Sequence, residues 1–189
     1  MNVYDFDNTI YDGESVIDFF FFYVKKSPYL IKYIPRVFYA LAKYKAGKLT
    51  VEQAIQEYAP FVENYFVGIE DFDADAKEFW DKHMKNIKPF YKEIQREDDI
   101  IVTASPMCSM REICKRLNIK HCVGSIIEQD TGKITRLCMR SRKIPAFFEE
   151  YPDAHIDNFY TDSPENDAPM IEIADHAFVV KGNKITQIK

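Results

Sequence analysis

Short apolar runs alternate with helix-like segments from Asp98 to the end of the sequence, and this alternation limits the possible folds most. The stretch "DDIIVTASP" predicts a buried strand that leads into a helix, which Ser105 would cap and Pro106 would open. The following stretches predict a hairpin around "DTG", a helix in "SRKIPAFFEEY", a strand in "HIDNFYTD", a helix in "ENDAPMIEIA" and strands in "HAFVV" and "KITQI". Strands that alternate with helices predict an α/β fold, a doubly wound parallel sheet with helices on both faces.

The first half of the sequence supplies a single strand candidate, Asn2–Asp5, and then a long run without another. Residues 15–97 have helical patterns throughout. We therefore expect a core built from residues 1–14 and 98–189, with an all-helical domain inserted at residues 15–97.

Helix-start signals divide this inserted segment. Ser15 would cap a first helix, Pro28 would open a second, and Thr50 would cap a third with Gln53 at the capping-box position. Pro89 would break or kink the last helical stretch.

Length and composition indicate one folded domain, or one domain that carries an insertion. The chain has 189 residues, of which 47% are hydrophobic, enough to bury a core. A net charge of -5 and a pI of about 5.4 do not favour a nucleic-acid partner. Lysines and prolines interrupt the apolar stretch after Ser15, so we expect no transmembrane segment.

Cysteine and histidine usage gives no sign of a zinc site or a disulfide framework. The four cysteines contain no CxxC pair, and the four histidines lack ligand spacing. We expect reduced thiols and a cytoplasmic location. Because the sequence starts directly with a strand pattern and no apolar leader, we also expect the mature protein to start at Met1.

Polar side chains follow three of the predicted parallel strands, where ligands bind in sheets of this type. In chain order they are Asp5 with Asp7, Thr103 with Ser105, and Asp162 with Asp167. Four carboxylates in one pocket would repel each other and raise some of their pKa values, and a divalent cation would relieve that repulsion. A ligand set made only of oxygen atoms favours a hard ion, and we expect Mg²⁺.

The remaining polar groups favour a phosphoryl substrate. A threonine hydroxyl, free amides at a helix N-terminus and a basic residue from "RSRK" can together hold an anion with distributed charge. If Asp5 attacks phosphorus, an aspartyl-phosphate forms. Asp7, two residues on, can then protonate the leaving oxygen and activate water.

The segments "DFDNT", "IIVTAS", "RSRK" and "TDSPEND", in this order, resemble the four motifs of the haloacid dehalogenase superfamily. The resemblance covers the whole chain and implies a Rossmann-like core. The helical segment resembles the cap that follows the first motif in the phosphoserine-phosphatase-like branch of that superfamily.

This resemblance implies a role for each acidic residue. Asp5 matches the nucleophile, Asp7 the general acid and base, and Thr9 the hydroxyl that supports the turn. The metal would take the carboxylates of Asp5 and Asp162 and the backbone carbonyl of Asp7. Asp167 would act through water or orient the motif lysine.

The resemblance also assigns the phosphate-binding groups. Thr103 matches the phosphate-binding hydroxyl, and the amide of Ala104 would lie beside it. Lys143 matches the lysine that neutralises the nucleophile and the phosphoryl oxygens, although Arg140 or Arg142 could assist or replace it. Ser105 is expected only to cap its helix.

The implied activity is hydrolysis of a phosphomonoester, since dehalogenases of this superfamily lack the second acid of the first motif. Two alternatives stay open: a non-catalytic module that accepts or senses phosphate, and a phosphotransferase that uses another alcohol. Glu14 lies nine residues after Asp5, where phosphoserine phosphatases place a glutamate that contacts the substrate amine. It could equally be an ordinary acid beside a helix start.

The helical segment is basic and aromatic between Phe19 and Lys48. This stretch contains no Asp or Glu, and its basic residues are Lys25, Lys26, Lys32, Arg36, Lys43, Lys45 and Lys48. The simpler interpretation is a solvated basic face over an aromatic core. The alternative is a basic mouth that attracts a large or lipid-like phosphate ester, with or without a membrane surface.

Overall fold

The computed structural model of the protein describes residues 1–46, 48 and 51–189, without the side chains of residues 41, 44, 45, 51, 52 and 54–58. These residues form a seven-stranded sheet of order β4-β3-β2-β1-β5-β6-β7. Its strands are β1 (Asn2–Tyr4), β2 (Ile100–Pro106), β3 (His121–Ile127), β4 (Ile134–Arg136), β5 (Asn158–Thr161), β6 (His176–Lys181) and β7 (Lys184–Gln187). Neighbouring strands from β3 to β6 are parallel, and the edge strands β4 and β7 are antiparallel. The predicted doubly wound α/β fold is confirmed.

Eight α-helices lie between and beside these strands within the described residues. They are α1 (Ser15–Lys26), α2 (Ile34–Lys45), α3 (Val51–Val67), α4 (Phe72–His83), α5 (Pro89–Ile94), α6 (Met107–Arg116), α7 (Lys143–Glu150) and α8 (Ala168–Ile173). Short 3₁₀ helices occupy Pro28–Tyr33, Met84–Asn86 and Arg140–Arg142. The absence of a strand from residues 15–97 agrees with the sequence pattern for the part of that segment that is described.

Several predicted helix starts are wrong in detail. Ser15 is the first residue of α1 and follows the N-cap Glu14, whose side chain makes no capping bond. Pro28 opens a 3₁₀ helix instead of an α-helix. The predicted cap at Thr50 lies outside the described residues.

The predicted cap at Ser105 is also wrong, since β2 continues to Pro106 and Pro106 is itself the N-cap of α6. The Ser105 amide donates to the Thr103 hydroxyl at 3.0 Å, so local bonding keeps Ser105 in the strand end.

Aromatic side chains join the helical segment to the sheet. Trp80 of α4 is fully buried, packs edge-on against Phe6 and Tyr11, and donates its indole N–H to the carbonyl of Ser109 at 2.9 Å. One hydrophobic cluster therefore includes residues on both sides of the proposed domain boundary. The division at residues 14/15 and 97/98 stays a prediction.

The basic, aromatic stretch contains both buried and exposed rings. Its core residues Phe19, Phe20, Phe22 and Tyr23 are buried, whereas Tyr29, Ile31, Phe38 and Tyr39 are more than half exposed. Lys26 pairs with Asp75 and with Glu78 of α4, so its charge is neutralised within the protein. No helix in the described part of the chain is both long and apolar enough to cross a bilayer.

All four cysteines are free thiols, as expected. His155 does lie near two acids, Asp157 and Asp175, at the protein surface, although its spacing in the sequence gave no such indication. The Met1 amino group pairs with Asp157 at 2.5 Å, and His155 contacts Asp175 at 2.8 Å. We therefore describe this group as a surface ion-pair network.

The β3–β4 turn touches helix α3. Gly132 in this turn has a φ of +68°, and an added Cβ there would overlap the backbone of Glu63. Gly182 in the β6–β7 turn has a similar φ of +59° but open space around it. The two glycines thus share a backbone requirement and differ in packing.

We expect Gly132→Ala to destabilise the protein more than Gly182→Ala does. Both variants carry the left-handed backbone strain of about 1–2 kcal/mol, and only Gly132→Ala adds overlap of about 1–3 kcal/mol with a packed helix. Urea unfolding of the two variants measures the difference. Equal losses of unfolding free energy would show that the contact between the turn and α3 does not hold.

Candidate functional site

A tight turn follows β1 and fixes the first two acids. The Asp5 amide donates to the Tyr160 carbonyl at 2.9 Å, which continues the pairing with β5. The chain then reverses, and the Phe6 carbonyl accepts the amides of Ile10 and Tyr11, each at 2.9 Å. Asn8 takes the left-handed conformation, with a φ of +56°, that this reversal requires.

Asp5 is buried between a lysine and a threonine. Its Oδ1 accepts from Lys143 Nζ at 2.7 Å, and its Oδ2 accepts from the Thr9 hydroxyl at 3.2 Å. Burial raises the pKa of Asp5 to about 8, the charge of Lys143 works against this rise, and the charge of Asp167 adds to it. A further positive charge near Asp5 would favour its ionised form.

Lys143 bridges two buried carboxylates. Its Nζ lies 2.7 Å from Asp5 and 2.7 Å from Oδ1 of Asp167, whose other oxygen accepts from the Thr161 hydroxyl at 2.7 Å. Burial works to lower the pKa of Lys143, but the two carboxylates outweigh it and raise this pKa above its ordinary value. Asp167 thus contacts the lysine directly, and its predicted role in orienting that lysine stays a prediction.

The two neighbouring arginines are less buried than Lys143. Arg142 is exposed, whereas Arg140 is half-buried and lines the same cavity as Lys143. The 3₁₀ turn at Arg140–Arg142 immediately before α7 places the lysine inward at the first residue of the helix.

Thr9 connects the ends of two strands. Its hydroxyl donates to Asp5 and accepts the backbone amide of Asp162 at 2.8 Å. These two bonds of a fully buried residue hold the loop after β5 beside the turn after β1. This geometry agrees with the turn-supporting position predicted for Thr9.

Asp7 lies against the start of α1 and the end of β2. Its Oδ1 accepts the Ser15 amide at 2.6 Å, and its Oδ2 accepts the Ser105 hydroxyl at 2.7 Å. Burial raises the pKa of Asp7, while the bonds from Ser105 and Ser15 oppose that rise. Ser105 is therefore a contact of the second acid, a role that its sequence position at a strand end did not distinguish from capping.

Most of the predicted site residues line one cavity of about 440 Å³. Its described lining contains six carboxylate and two basic side chains, namely Asp5, Asp7, Glu14, Asp162, Glu165, Asp167, Arg140 and Lys143. Ala104, Asn8, Met139, Ser163 and Asn166 complete this lining. None of the described lysines of residues 25–48 contributes to it, so the structure does not place the predicted basic mouth at this cavity.

Three further predicted residues differ in whether they reach the cavity. Thr103 is fully buried, does not line the cavity, and bonds through its hydroxyl to the Ser105 amide. Ala104 is the exposed residue of β2 and faces the cavity. Glu14 also faces the cavity and accepts from the Asn8 side chain at 2.9 Å.

Lys88 is a residue near the site that sequence analysis missed. It is 5% exposed, and its Nζ donates to the Asn8 carbonyl within the turn after β1. Burial lowers the pKa of Lys88, while the charges of Asp12 and Asp162 oppose this. No pattern around Pro89 indicated that the preceding lysine would reach this turn from 80 residues away.

The cavity has the chemistry of a site for a hard cation. Carboxylates outnumber basic groups in it, and no His or Cys belongs to its described lining. Burial, followed by the charge of Asp167, raises the pKa of Asp162, and Lys143 is already shared by two other acids. Asp5 and Asp162 offer the oxygen ligands that such a cation prefers.

Solved structures share this fold at low sequence identity. A protein of unknown function from Bordetella pertussis Tohama I matches with a TM-score of 0.74 and 19% identity over 91% of this chain and 85% of that one. A phosphoserine phosphohydrolase-like protein from Francisella tularensis subsp. tularensis SCHU S4 matches with a TM-score of 0.60 and 19% identity, covering 94% and 86%. A HAD family hydrolase from Salmonella enterica serovar Typhi gives 0.63 and 14%, covering 91% and 58%.

Sequence comparison identifies the family. No curated protein sequence matches the chain significantly. The family model for haloacid dehalogenase-like hydrolases, however, matches residues 3–172, from β1 into α8. Since this match spans all four motif segments and most of the chain, the protein belongs to the haloacid dehalogenase-like hydrolase family.

Proposed function

We propose that the protein is a Mg²⁺-dependent phosphatase that hydrolyses a phosphomonoester through an aspartyl-phosphate on Asp5. The observation that carries this proposal is the Asp5 carboxylate, held by Lys143 and Thr9 at the wall of a cavity rich in carboxylates. Family membership supports a hydrolase, and the fold is shared with a phosphoserine phosphohydrolase-like protein.

In the first step, an oxygen of Asp5 attacks phosphorus and the bond to the ester oxygen breaks. Asp7 gives its proton to the leaving alcohol. In the second step, Asp7 takes a proton from water, water oxygen attacks phosphorus, and the bond to Asp5 breaks with release of phosphate. Asp5 and Asp7 thus return to their starting states.

The contacts of Asp7 suit a residue that exchanges a proton. Burial raises its pKa, which favours a protonated form. A serine hydroxyl can donate to a carboxylate or accept from a carboxylic acid, so Ser105 can stay bonded to Asp7 in both states. Ser15 Oγ lies 3.0 Å from Ser105 Oγ, so the Ser105 hydroxyl can donate to Ser15 while it accepts from Asp7.

The other site residues hold charge. Lys143 would neutralise the phosphoryl oxygens, the Ala104 amide near the end of β2 would donate to them, and Asp167 would keep the lysine in place. A bound Mg²⁺, held by Asp5, Asp162 and the Asp7 carbonyl, would supply positive charge at the phosphoryl group. Residues 15–97 would form a cap over the core of residues 1–14 and 98–189 that excludes water.

Metal removal and restoration test the proposal. We expect phosphate release from p-nitrophenyl phosphate and a panel of phosphomonoesters to stop when EDTA removes divalent ions, and to return when excess Mg²⁺ is added. Colorimetric phosphate detection measures the rate of phosphate release with EDTA and after Mg²⁺ is added. Turnover that is insensitive to EDTA would contradict the metal assignment, and phosphorylation of the protein without phosphate release would favour a sensing module.

A further inference from the structure

A second cavity, of about 250 Å³, lies between the helical segment and the sheet. It is lined by the first turns of α1, by α3 and by the β3–β4 hairpin, through residues that include Val16, Ile17, Val62, Ile127, Ile134 and Leu137. Its described lining contains no charged side chain. We call it the apolar cavity.

Two polar side chains of the apolar cavity are bonded within the protein, whereas the buried Tyr65 hydroxyl has no hydrogen-bond partner in the described structure. The Ser125 hydroxyl donates to the Ala104 carbonyl at 2.7 Å, and the Ser109 hydroxyl donates to the Pro106 carbonyl at 2.8 Å. Both serines therefore have their donor protons engaged. Away from the Tyr65 hydroxyl, the cavity favours a hydrocarbon group over a polar one, because a buried polar group without a partner loses its hydration.

Ala104 lines both the apolar cavity and the carboxylate-rich cavity, so the two adjoin at the end of β2. Asp7 lies at this junction. Its two hydrogen-bond donors are Ser15 and Ser105, and the residues that follow them, Val16 and Pro106, line the apolar cavity. The proposed proton donor to the leaving group is therefore next to the apolar cavity.

We infer that the substrate is a phosphomonoester whose alcohol carries an apolar chain, and that this chain occupies the apolar cavity while the phosphate lies at Asp5. The inference rests on the proposed phosphatase function, since it uses Asp7 to fix where the leaving alcohol lies. The leaving oxygen must be within reach of Asp7, so the rest of the alcohol extends from that point into the adjoining space. That space is apolar.

A series of linear alkyl phosphates tests this assignment. With Mg²⁺ and concentrations below micelle formation, kcat/KM should rise from ethyl to hexyl phosphate by about three- to fourfold for each added methylene. If the protein hydrolyses neither these esters nor p-nitrophenyl phosphate, the proposed function itself is wrong. Hydrolysis of all at equal kcat/KM would overturn the apolar-chain assignment and leave the phosphatase in place.

Two valines of α3 give a matched pair of variants. Val62 lines the apolar cavity, whereas Val67 is 58% exposed on the same helix and does not line it. Val62→Trp should fill the cavity and flatten the chain-length dependence, and Val67→Trp should keep the wild-type slope. If Val62→Trp does not fold, Ile134→Asn on the hairpin side serves instead and should make the slope shallower.

Retention of the full slope in a folded Val62→Trp or Ile134→Asn protein would overturn the assignment. Sedimentation of the same samples tests whether a second copy of the protein occupies the cavity instead. A wild-type dimer that Val62→Trp dissociates and Val67→Trp does not, with no chain-length dependence, would assign the cavity to a second copy of the protein and would also overturn the inference.

Discussion

Asp5→Asn should lower kcat for phosphomonoester hydrolysis by at least about a thousandfold, the scale seen when a covalent nucleophile is removed. An amide oxygen carries no full negative charge, so it does not attack phosphorus, and Lys143 loses one of its two buried partners. Steady-state phosphate release measures the loss. Acid-quenched protein should also contain no covalent phosphate in the variant, in contrast to the wild type.

Asp12→Asn is the matched control for this substitution. Asp12 is an exposed acid in the same segment and does not line the carboxylate-rich cavity. We expect its kcat to stay within about twofold of wild type, since surface changes of this kind have small effects. Hydrolysis that survives Asp5→Asn would remove Asp5 as the nucleophile, whatever the control shows.

Lys143→Met should reduce both activity and stability. Loss of a charged group that stabilises the transition state lowers kcat by about a hundred- to a thousandfold. The same change leaves Asp5 and Asp167 buried without their shared cation, and breaking such a pair costs about 3–5 kcal/mol of unfolding free energy. Phosphate release and urea unfolding at pH 8 measure the two losses separately.

The unfolding free energy of Lys143→Met should increase as pH falls. The pKa of Asp5 is about 8 in the folded protein because of burial, and Lys143 opposes that rise, so removal of the lysine raises the pKa further. In the unfolded chain this carboxyl has its ordinary pKa near 4. The folded variant therefore binds more protons than the unfolded chain, and its stability increases from pH 8 to pH 5.

Arg142→Met is the control for the lysine. Arg142 is the adjacent basic residue and is exposed, so its removal should change stability by less than about 0.5 kcal/mol and leave kcat nearly unchanged. A large loss of kcat in Arg142→Met, together with an active Lys143→Met, would reverse the assignment of these two residues. An unfolding free energy of Lys143→Met that does not vary between pH 8 and pH 5 would contradict the role of buried carboxylates.

Sequence patterns predicted the sheet and the acids at its carboxyl edge for a general reason. Parallel strands place their carboxyl ends together, so Asp5, Asp7, Asp162 and Asp167 were expected in one place from the strand order alone. Lys143 came from the motif resemblance, because nothing local distinguishes it from Arg142. Thr9 was identified by the same resemblance, while its bond to the Asp162 amide is visible only in three dimensions.

The contacts that sequence patterns missed join distant segments. Ser105 was expected to cap α6, but its hydroxyl reaches Asp7 across 98 positions, and Thr103 holds its amide in the strand. Lys88 reaches the Asn8 carbonyl in a similar way. The apolar cavity depends on how α1 and α3 pack against the hairpin, which local periodicity does not determine.

Trp80 also limits which helices can move to admit a substrate. Its indole is bonded to α6 through Ser109 and packs on the turn after β1 through Phe6 and Tyr11. Helix α4 is therefore expected to move together with the core. A hinge at the junction of residues 97 and 98 would have to pull this ring out of the core. Helix α3 packs its own rings against α1 and α4, through Phe61, Tyr65 and Phe66, so its displacement would also break aromatic contacts.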